Sequence, residues 1–267
     1  MNRSYLFAPA HNAKLLRKVF DAGADAVMLD LEDAVPPDAK ATARTRASEV
    51  LREREAWVRV NAVRTAECAA DLDAVAVLAA GIRIPKVESA EDVAWVADRA
   101  PGVPLICAIE SARGILAAAE IAAAPGVRHL SMGRVDLRRD LDAGAGEQAM
   151  LYARSHIVVA SRAAGLAPPI DSVHPDVADE AGLRAQAEHA RALGFFGKSA
   201  IHPRQLPVLH DVFTPAEEEV AWARAVIDAF TAAGGEPLRL DSGEFVDVPV
   251  ADRARRVLAL AASVPGR

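Results

Sequence analysis

The stretch LICAIESARG, residues 105–114, begins as a buried strand and then places a charge where the strand should end. Leu105 to Ile109 form a continuous apolar run, which is typical of a strand covered on both faces of a parallel sheet. Glu110 follows immediately. A buried carboxylate is costly without a partner, so this glutamate is expected at the end of the sheet, where something compensates its charge.

Seven further short apolar runs alternate with longer, alanine-rich amphipathic stretches. With the first run they give eight candidate strands: 4–9, 26–31, 57–61, 82–87, 105–111, 129–133, 168–173 and 197–203. Strict alternation of strands and helices indicates a parallel sheet. Eight such units predict an α/β fold of the (β/α)8 TIM-barrel type. A doubly wound open sheet is the alternative, weakened because no GxGxxG fingerprint follows any strand.

The end of the chain does not fit this repeat. The stretch EPLRLDSGEFVDVPV, residues 236–250, predicts a β-hairpin that turns at Ser242 and Gly243, and residues 251–263 predict a final helix. We therefore expect a barrel domain over residues 1–233 and a hairpin-plus-helix extension over 234–267. Upstream, Ser89 with Asp92 resembles a capping box, and Thr214, Pro215 and Glu217 are expected to open the helix before the extension.

Composition and charge argue against several classes of function. The 267 residues carry a formal net charge of −6, and no cluster of lysines and arginines stands out, so nucleic acid is not an expected partner. No apolar run approaches the roughly 20 residues that cross a bilayer, and the N-terminus does not resemble a signal peptide. Cys68 and Cys107 form no CxxC motif. We expect a cytoplasmic protein without membrane contact.

Polar residues follow the predicted strands, at the end of a barrel where active sites lie. Glu110 and Asp136 end neighbouring strands, and two carboxylates with open water positions suit Mg²⁺. No histidine pair shows zinc spacing such as HExxH. The alternative is that Glu110 forms a buried ion pair with Arg113 or with another barrel arginine.

Three further residues carry open alternatives. Arg59 is a charged residue in the apolar strand WVRVN, where it either pairs with the acids or binds a substrate carboxylate. Asp33, in DLEDAV, either complements the N-terminus of a helix or takes part in catalysis. His202 fits a structural role in a tight turn better than that of a general base. No GxSxG motif is present, which argues against a serine hydrolase.

Several long motifs together resemble the citrate lyase β-subunit-like proteins of the HpcH/HpaI aldolase superfamily, which includes malyl-CoA and citramalyl-CoA lyases. They occur in the same order over nearly the whole chain: RSYLFAPA (3–10), DLEDAVPPDAKATAR (30–44), VRVN (58–61), PKVES (85–89), IESARGILAAAEIA (109–122), GRVDL (133–137), a segment from DSVHPDV to AWARAVI (171–227) and VDVPVADRARRVL (246–258).

The resemblance implies a Mg²⁺-dependent carbon–carbon lyase acting on a 3-hydroxyacyl thioester such as citramalyl-CoA, malyl-CoA or a citryl thioester. It assigns Glu110 and Asp136 to the metal, and Arg59 together with Glu110 to the substrate. Arg59, Asp33 and Asp247 are the catalytic candidates. Asp247 matches an aspartate that related enzymes carry on a lid over a neighbouring subunit's site, which implies a homo-oligomer, a trimer or hexamer.

The resemblance leaves the carrier of the acyl group open, either coenzyme A or an acyl-carrier protein. It also leaves two rivals: a pyruvate aldolase of the HpaI kind, and a non-catalytic barrel subunit that binds an acyl thioester. DLEDAV lacks the histidine base expected of the first rival. Two departures from the family pattern are Val135, where relatives often carry an acid, and DSGEFVDVP before and around Asp247.

Overall fold

The computed structural model describes residues 1–144 and 146–263. Seven parallel strands form one sheet in the order β6-β5-β4-β3-β2-β1-β7, so that β1 lies between β2 and β7. The strands are β1 (Ser4–Pro9), β2 (Ala26–Asp30), β3 (Trp57–Arg59), β4 (Gly81–Ile84), β5 (Leu105–Ile109), β6 (Val127–Met132) and β7 (Lys198–Ala200).

The predicted closed, eight-stranded barrel is wrong: the sheet is a curled half-barrel of seven strands. The expected strand at 168–173 makes only two isolated bridges, Ser131–Ile170 and Asp171–Lys198. Pro168 and Pro169 open this segment, and neither has an N–H group to donate to a neighbouring strand. The segment therefore lies between β6 and β7 without continuing the ladder.

Helices follow most strands and cover the outside of the sheet. They are α1 (Ala13–Val19), α2 (Lys40–Leu51), α3 (Ala66–Val75), α4 (Ala90–Ala97), α5 (Ala112–Leu116), α6 (Ala118–Ala123), α7 (Arg134–Asp140), α8 (Glu147–Ala163), α9 (Glu180–Leu193), α10 (Leu206–Phe213), α11 (Glu217–Ala232) and α12 (Val248–Ser263). Two 3₁₀ turns lie at Pro37–Ala39 and Pro203–Gln205. Within the described ranges, every helix is too short or too polar to span a lipid bilayer.

Strand β5 shows why the opening stretch behaves as it does. All five of its residues are fully buried, as expected for a central strand covered on both faces. After Glu110, Ser111 caps helix α5 by accepting a hydrogen bond from the Gly114 N–H at 3.1 Å. A Cβ at Gly114 would lie 2.7 Å from the Val87 carbonyl oxygen. Glycine at this position therefore lets the first turn of α5 approach the neighbouring loop.

Of the two predicted helix starts, one is confirmed and one is wrong. The Ser89 cap is confirmed, because its Oγ accepts from the Asp92 N–H at 3.2 Å. The start predicted at Thr214 is wrong: α11 begins at Glu217 after Ala216. Thr214 instead ends α10, where its hydroxyl donates to the His210 carbonyl at 2.5 Å and accepts from Arg3 at 3.1 Å. With these two partners, the Thr214 hydroxyl does not cap the start of α11.

The C-terminal segment has a small core of its own. Strands β8 (Leu238–Arg239) and β9 (Phe245–Val246) form an antiparallel hairpin, with Gly243 in the turn at φ +86°. Helix α12 packs on α11, and the cluster between them includes Ala223, Val226, Phe230, Val246 and Ala251.

A buried ion cluster stands where the eighth strand was expected. Asp171 and Lys198 are both fully buried, with Oδ2 and Nζ 2.6 Å apart, and the buried Arg154 lies 3.4 Å from the other Asp171 oxygen. Burial by itself would raise the pKa of Asp171, but Lys198 and Arg154 outweigh burial and lower it. The Asp171 carboxylate therefore lies between two cations, Lys198 and Arg154, and joins the segment to β7 and α8.

Asp171→Asn should destabilise the protein strongly, because it leaves the Lys198 charge buried without a counter-charge and Arg154 with Glu147, 3.5 Å away, as its remaining carboxylate. We expect a loss of about 3–5 kcal/mol in the free energy of unfolding, measured by urea titration. Asp228→Asn, at an exposed position on α11, makes the same chemical change and should stay within about 0.5 kcal/mol of wild type. Similar midpoints for both variants would contradict this role of Asp171.

Candidate active site

A cavity of about 270 Å³ opens at the carboxyl ends of the strands. The strands deliver their last residues to it: Asp30 ends β2, Arg59 ends β3, and Glu110 follows β5. This is the end of a parallel α/β sheet at which ligands bind. The predicted residues Arg59, Asp33, Glu110 and Asp136 all line this cavity.

Arg59 is held by a fork of charge-assisted bonds. Its Nε and Nη2 donate to the two oxygens of Asp30 at 2.8 and 2.7 Å, and its Nη1 lies 2.8 Å from Glu32 Oε2. Burial alone would raise the pKa of Asp30, but the bonds from Arg59 lower it, so both partners stay charged. Of the two alternatives for Arg59, the ion pair with the acids is therefore made.

Arg59 nevertheless has N–H donors that make no hydrogen bond within the described part of the chain. A guanidinium has five N–H donors, and the hydrogen bonds to Asp30 occupy two of them. The guanidinium carbon lies 5.2 Å from the centre of the Phe7 ring, which favours the cation there. A guanidinium with remaining donors at a cavity wall is suited to bind an anionic oxygen.

Lys86 and Asp33 complete this side of the cavity. Lys86 adopts φ +52°, an unusual backbone conformation for a lysine, and places its ammonium 2.5 Å from Glu32 and 3.4 Å from Asp33. The Asp33 side chain is 57% exposed and faces two cations, since Arg59 lies 3.9 Å away. Asp33 is thus an accessible carboxylate at the cavity mouth, outside any helix N-terminus.

Glu110 differs from the other acids. It is 6% exposed, and among the described residues it accepts no hydrogen bond and has no cation within 4 Å. Burial raises its pKa to about 7. Arg113, the partner considered in the alternative, lies 3.7 Å from Glu88 instead. Arg83 attracts this charge from beyond contact distance, so the carboxylate has no direct ion-pair partner among the described residues and faces the cavity.

Gly133, the first residue after β6, makes room for this carboxylate. A Cβ at position 133 would lie 2.2 Å from the Glu110 Cγ and 2.6 Å from its Cδ. Any other residue there would displace the glutamate. The glutamate side chain thus lies directly against the backbone that leads into α7.

Asp136 lies in the first turn of α7, where the helix N-terminus favours negative charge. Its side chain is 25% exposed, and one oxygen lies 2.7 Å from Arg139. The other oxygen has no contact of this kind. The negative charge of Asp136 contributes to the raised pKa of Glu110, after the larger effect of burial. Two acids facing one cavity in this way suit a hard cation that keeps several water ligands.

No group of three or more His, Cys, Asp or Glu suited to a metal occurs within residues 1–144 and 146–263. A site of two carboxylates is consistent with this, because Mg²⁺ is commonly held by one or two carboxylates, with water and substrate supplying the remaining oxygens. Val135, where relatives often carry an acid, also lines the cavity and is exposed. The residues present therefore fit Mg²⁺ through Glu110 and Asp136.

Two predicted residues lie elsewhere. Asp247 caps helix α12, accepting a hydrogen bond from the Val250 N–H at 3.1 Å, and it is not part of the cavity lining. His202 has the structural role expected of it, because its Nδ1 accepts from the Arg204 N–H at 3.1 Å within a 3₁₀ turn. The site in a single chain thus combines Arg59, Asp33, Glu110 and Asp136 without Asp247.

Sequence reasoning missed Arg83. It lies on β4 beside Arg59, pairs with it in register, and is 4% exposed at the cavity wall. The sequence did contain an indication of this residue, because IRIPKV has an arginine within an apolar strand, as WVRVN does.

Comparison with known proteins agrees with this picture. Residues 3–203 match the family HpcH/HpaI aldolase/citrate lyase. The chain is 40% identical over 281 residues to the citrate lyase subunit beta of Escherichia coli (strain K12), covering 97% of this chain and 93% of that protein. It is 39% identical to a (3S)-malyl-CoA thioesterase of Cereibacter sphaeroides (strain ATCC 17025 / ATH 2.4.3), covering 98% and 95%.

Among solved structures, protein CitE from Mycobacterium tuberculosis in complex with magnesium, acetoacetate and coenzyme A has a TM-score of 0.82 and 34% identity, covering 97% of this chain and 98% of that one. These matches show that the chain belongs to the HpcH/HpaI aldolase/citrate lyase family, as its motifs predicted.

Proposed function

We propose that the protein is a magnesium-dependent carbon–carbon lyase that cleaves or forms a 3-hydroxyacyl thioester, giving an acetyl thioester and a 2-oxo acid. Glu110 carries the proposal, because it is a buried carboxylate that faces the cavity with no direct ion-pair partner among the described residues. The relatives support it: their names include citrate lyase and malyl-CoA, and one structure holds magnesium with coenzyme A.

Glu110 and Asp136 would hold the ion, whose charge compensates both carboxylates. When bound, Mg²⁺ supplies a Lewis acid and a template for the carboxylate and keto oxygens of a 2-oxo acid. Arg59 orients the substrate through its remaining N–H donors and stabilises negative charge that develops on oxygen. Asp30 and Glu32 keep that guanidinium fixed before substrate arrives.

The proton steps need a base and an acid. Asp33 is the candidate base, because it is an accessible carboxylate at the cavity mouth, near Arg59 and Lys86. It accepts the substrate's hydroxyl proton as the carbon–carbon bond breaks, and the bonding pair passes to the acetyl-thioester enolate. Asp247, contributed by a second copy of the chain, returns a proton to the enolate carbon. In the synthetic direction it removes that proton.

The size and lining of the cavity agree with this chemistry. At about 270 Å³ the cavity accommodates a small acid, so the long arm of the thioester must extend outside it. Coenzyme A and an acyl-carrier protein both meet this condition. Of the described residues that line the cavity, none is a histidine, which counts against an aldolase with a histidine base.

The proposal is tested by a panel of malyl-CoA, (S)- and (R)-citramalyl-CoA and citryl-CoA with Mg²⁺. We expect one compound to release acetyl-CoA and its oxo acid, and EDTA to abolish that release. Release of free coenzyme A without an oxo acid would indicate a thioesterase instead. If none of the four compounds reacts, a citryl thioester on an acyl-carrier protein is the next substrate, and its failure as well would favour the non-catalytic subunit.

Glu110→Gln should weaken Mg²⁺ binding by on the order of 100-fold and abolish turnover, because it removes a charged ligand while keeping the shape of the side chain. Calorimetric titration with Mg²⁺ measures the binding, and circular dichroism checks the fold. Glu120→Gln, at an exposed position on α6, is the matched control and should change neither quantity. Unchanged Mg²⁺ affinity in Glu110→Gln would refute the metal assignment.

Asp247→Asn should abolish turnover with little effect on stability, because asparagine caps a helix as well as aspartate does. Mixing its subunits with Glu110→Gln subunits, after mild dissociation and reassembly, should restore part of the activity. Restoration follows if each site takes its two halves from different chains. Asp241→Asn, exposed on the same hairpin, should remain fully active. Normal turnover in Asp247→Asn would remove this residue from the mechanism.

A further inference from the structure

Arg83 is a buried cation that makes no direct ion pair among the described residues, and Glu110, Glu32 and Asp30 act on its charge only from a distance. It is 4% exposed, and no carboxylate of the described residues lies within 4 Å of it. Its Nη1 makes one long hydrogen bond of 3.4 Å to Ser199 Oγ, and its Nε has no hydrogen-bond partner. Buried arginines are ordinarily paired, so this arrangement calls for an anion from outside the chain.

The position of Arg83 shows where that anion would bind. Its side chain lines the same cavity as Glu110 and reaches from β4 to Ser199 on β7. Its guanidinium carbon lies 5.5 Å from the centre of the Phe7 ring, on which Arg59 also stacks. Phe7 therefore fixes both guanidinium groups at the wall of one small cavity.

The two arginines are not equivalent. Asp30 and Glu32 already compensate Arg59 at 2.7–2.8 Å, whereas Arg83 has a hydroxyl group as its partner. Burial lowers the pKa of Arg83 to about 10, which still leaves it charged at neutral pH. Its positive charge is thus available to a ligand, with most N–H donors unused.

We propose that Arg83 binds a second carboxylate of the substrate, so that the cavity selects 2-oxo acids with two carboxylates, and the matching hydroxyacyl thioesters, over acids with one. This inference rests on the proposed function, in which the first carboxylate and the keto oxygen face the cation held by Glu110 and Asp136. A methyl group or hydrogen in place of the second carboxylate would leave Arg83 buried and unpaired. A carboxylate there accepts bidentate bonds from the guanidinium.

Equilibrium binding tests the proposal without requiring turnover. Fresh oxaloacetate and pyruvate serve as probes with two carboxylates and with one, in calorimetric titrations of the full chain with Mg²⁺ at pH 8. We expect wild type to bind oxaloacetate roughly 10- to 100-fold more tightly than pyruvate. Arg83→Met should remove most of that preference, through loss of oxaloacetate affinity. Arg83→Lys should retain part of it, because lysine keeps the charge without the fork.

Arg128→Met is the matched control, since Arg128 is exposed at the start of β6 and its replacement removes the same charge. It should leave the preference unchanged. Equal affinity of wild type for the two acids, or equal weakening of both by Arg83→Met, would overturn the inference while the proposed lyase stands. If wild type bound neither acid, the inference would fall, and the assay with the four thioesters would decide separately whether the proposed lyase stands. The wild-type comparison and Arg83→Lys keep the test decisive if Arg83→Met does not fold.

Discussion

The cost of burying charge at the carboxyl ends of a parallel sheet is the constraint on which the rest of the structure depends. Most of these charges are compensated inside the chain: Asp30 receives two bonds from Arg59, and Asp171 lies 2.6 Å from Lys198. Such pairs are stable because both members stay hydrogen-bonded when desolvated. Glu110 breaks the pattern, since it is equally buried and has no such partner among the described residues. The contrast separates charges that hold the fold together from charges that await a ligand.

Continuous apolar runs identified the seven strands well, because a parallel sheet buries both faces of each strand and leaves a strong signal in the sequence. The eighth candidate, PPIDSV (168–173), has a weaker apolar pattern, with Ile170 and Val173 as its aliphatic residues, and its backbone limits it further. Pro168 and Pro169 have no N–H group to donate to a neighbouring strand, and a hydrophobicity pattern does not record this property. The misplaced start of α11 has a similar cause: Thr214 matches a cap locally, but a distant arginine and the preceding helix occupy its hydroxyl, so that Ala216 takes the position.

The site was predictable where function coincides with a strand end. Glu110, Asp136 and Arg59 each follow or end a strand, and topology brought them to one cavity. Arg83 was missed because it lies within the run IRIPKV, before the strand end that was searched for polar residues. Asp247 posed another kind of problem. Within one chain its position is explained as a helix cap, and its proposed role at another subunit's site rests on the family resemblance alone.

The two unpaired groups, Glu110 and Arg83, have opposite charge and line the same cavity, yet they lie too far apart for an ion pair. Had they met, each would have neutralised the other, and the cavity would be filled by its own side chains. Gly133 holds the glutamate against the backbone, and Ser199 draws the arginine toward the opposite strand. The two groups therefore attract each other without touching, and each keeps hydrogen-bonding atoms that no residue of the described chain contacts. A bound cation and a bound anion are the partners that the proposed function gives them.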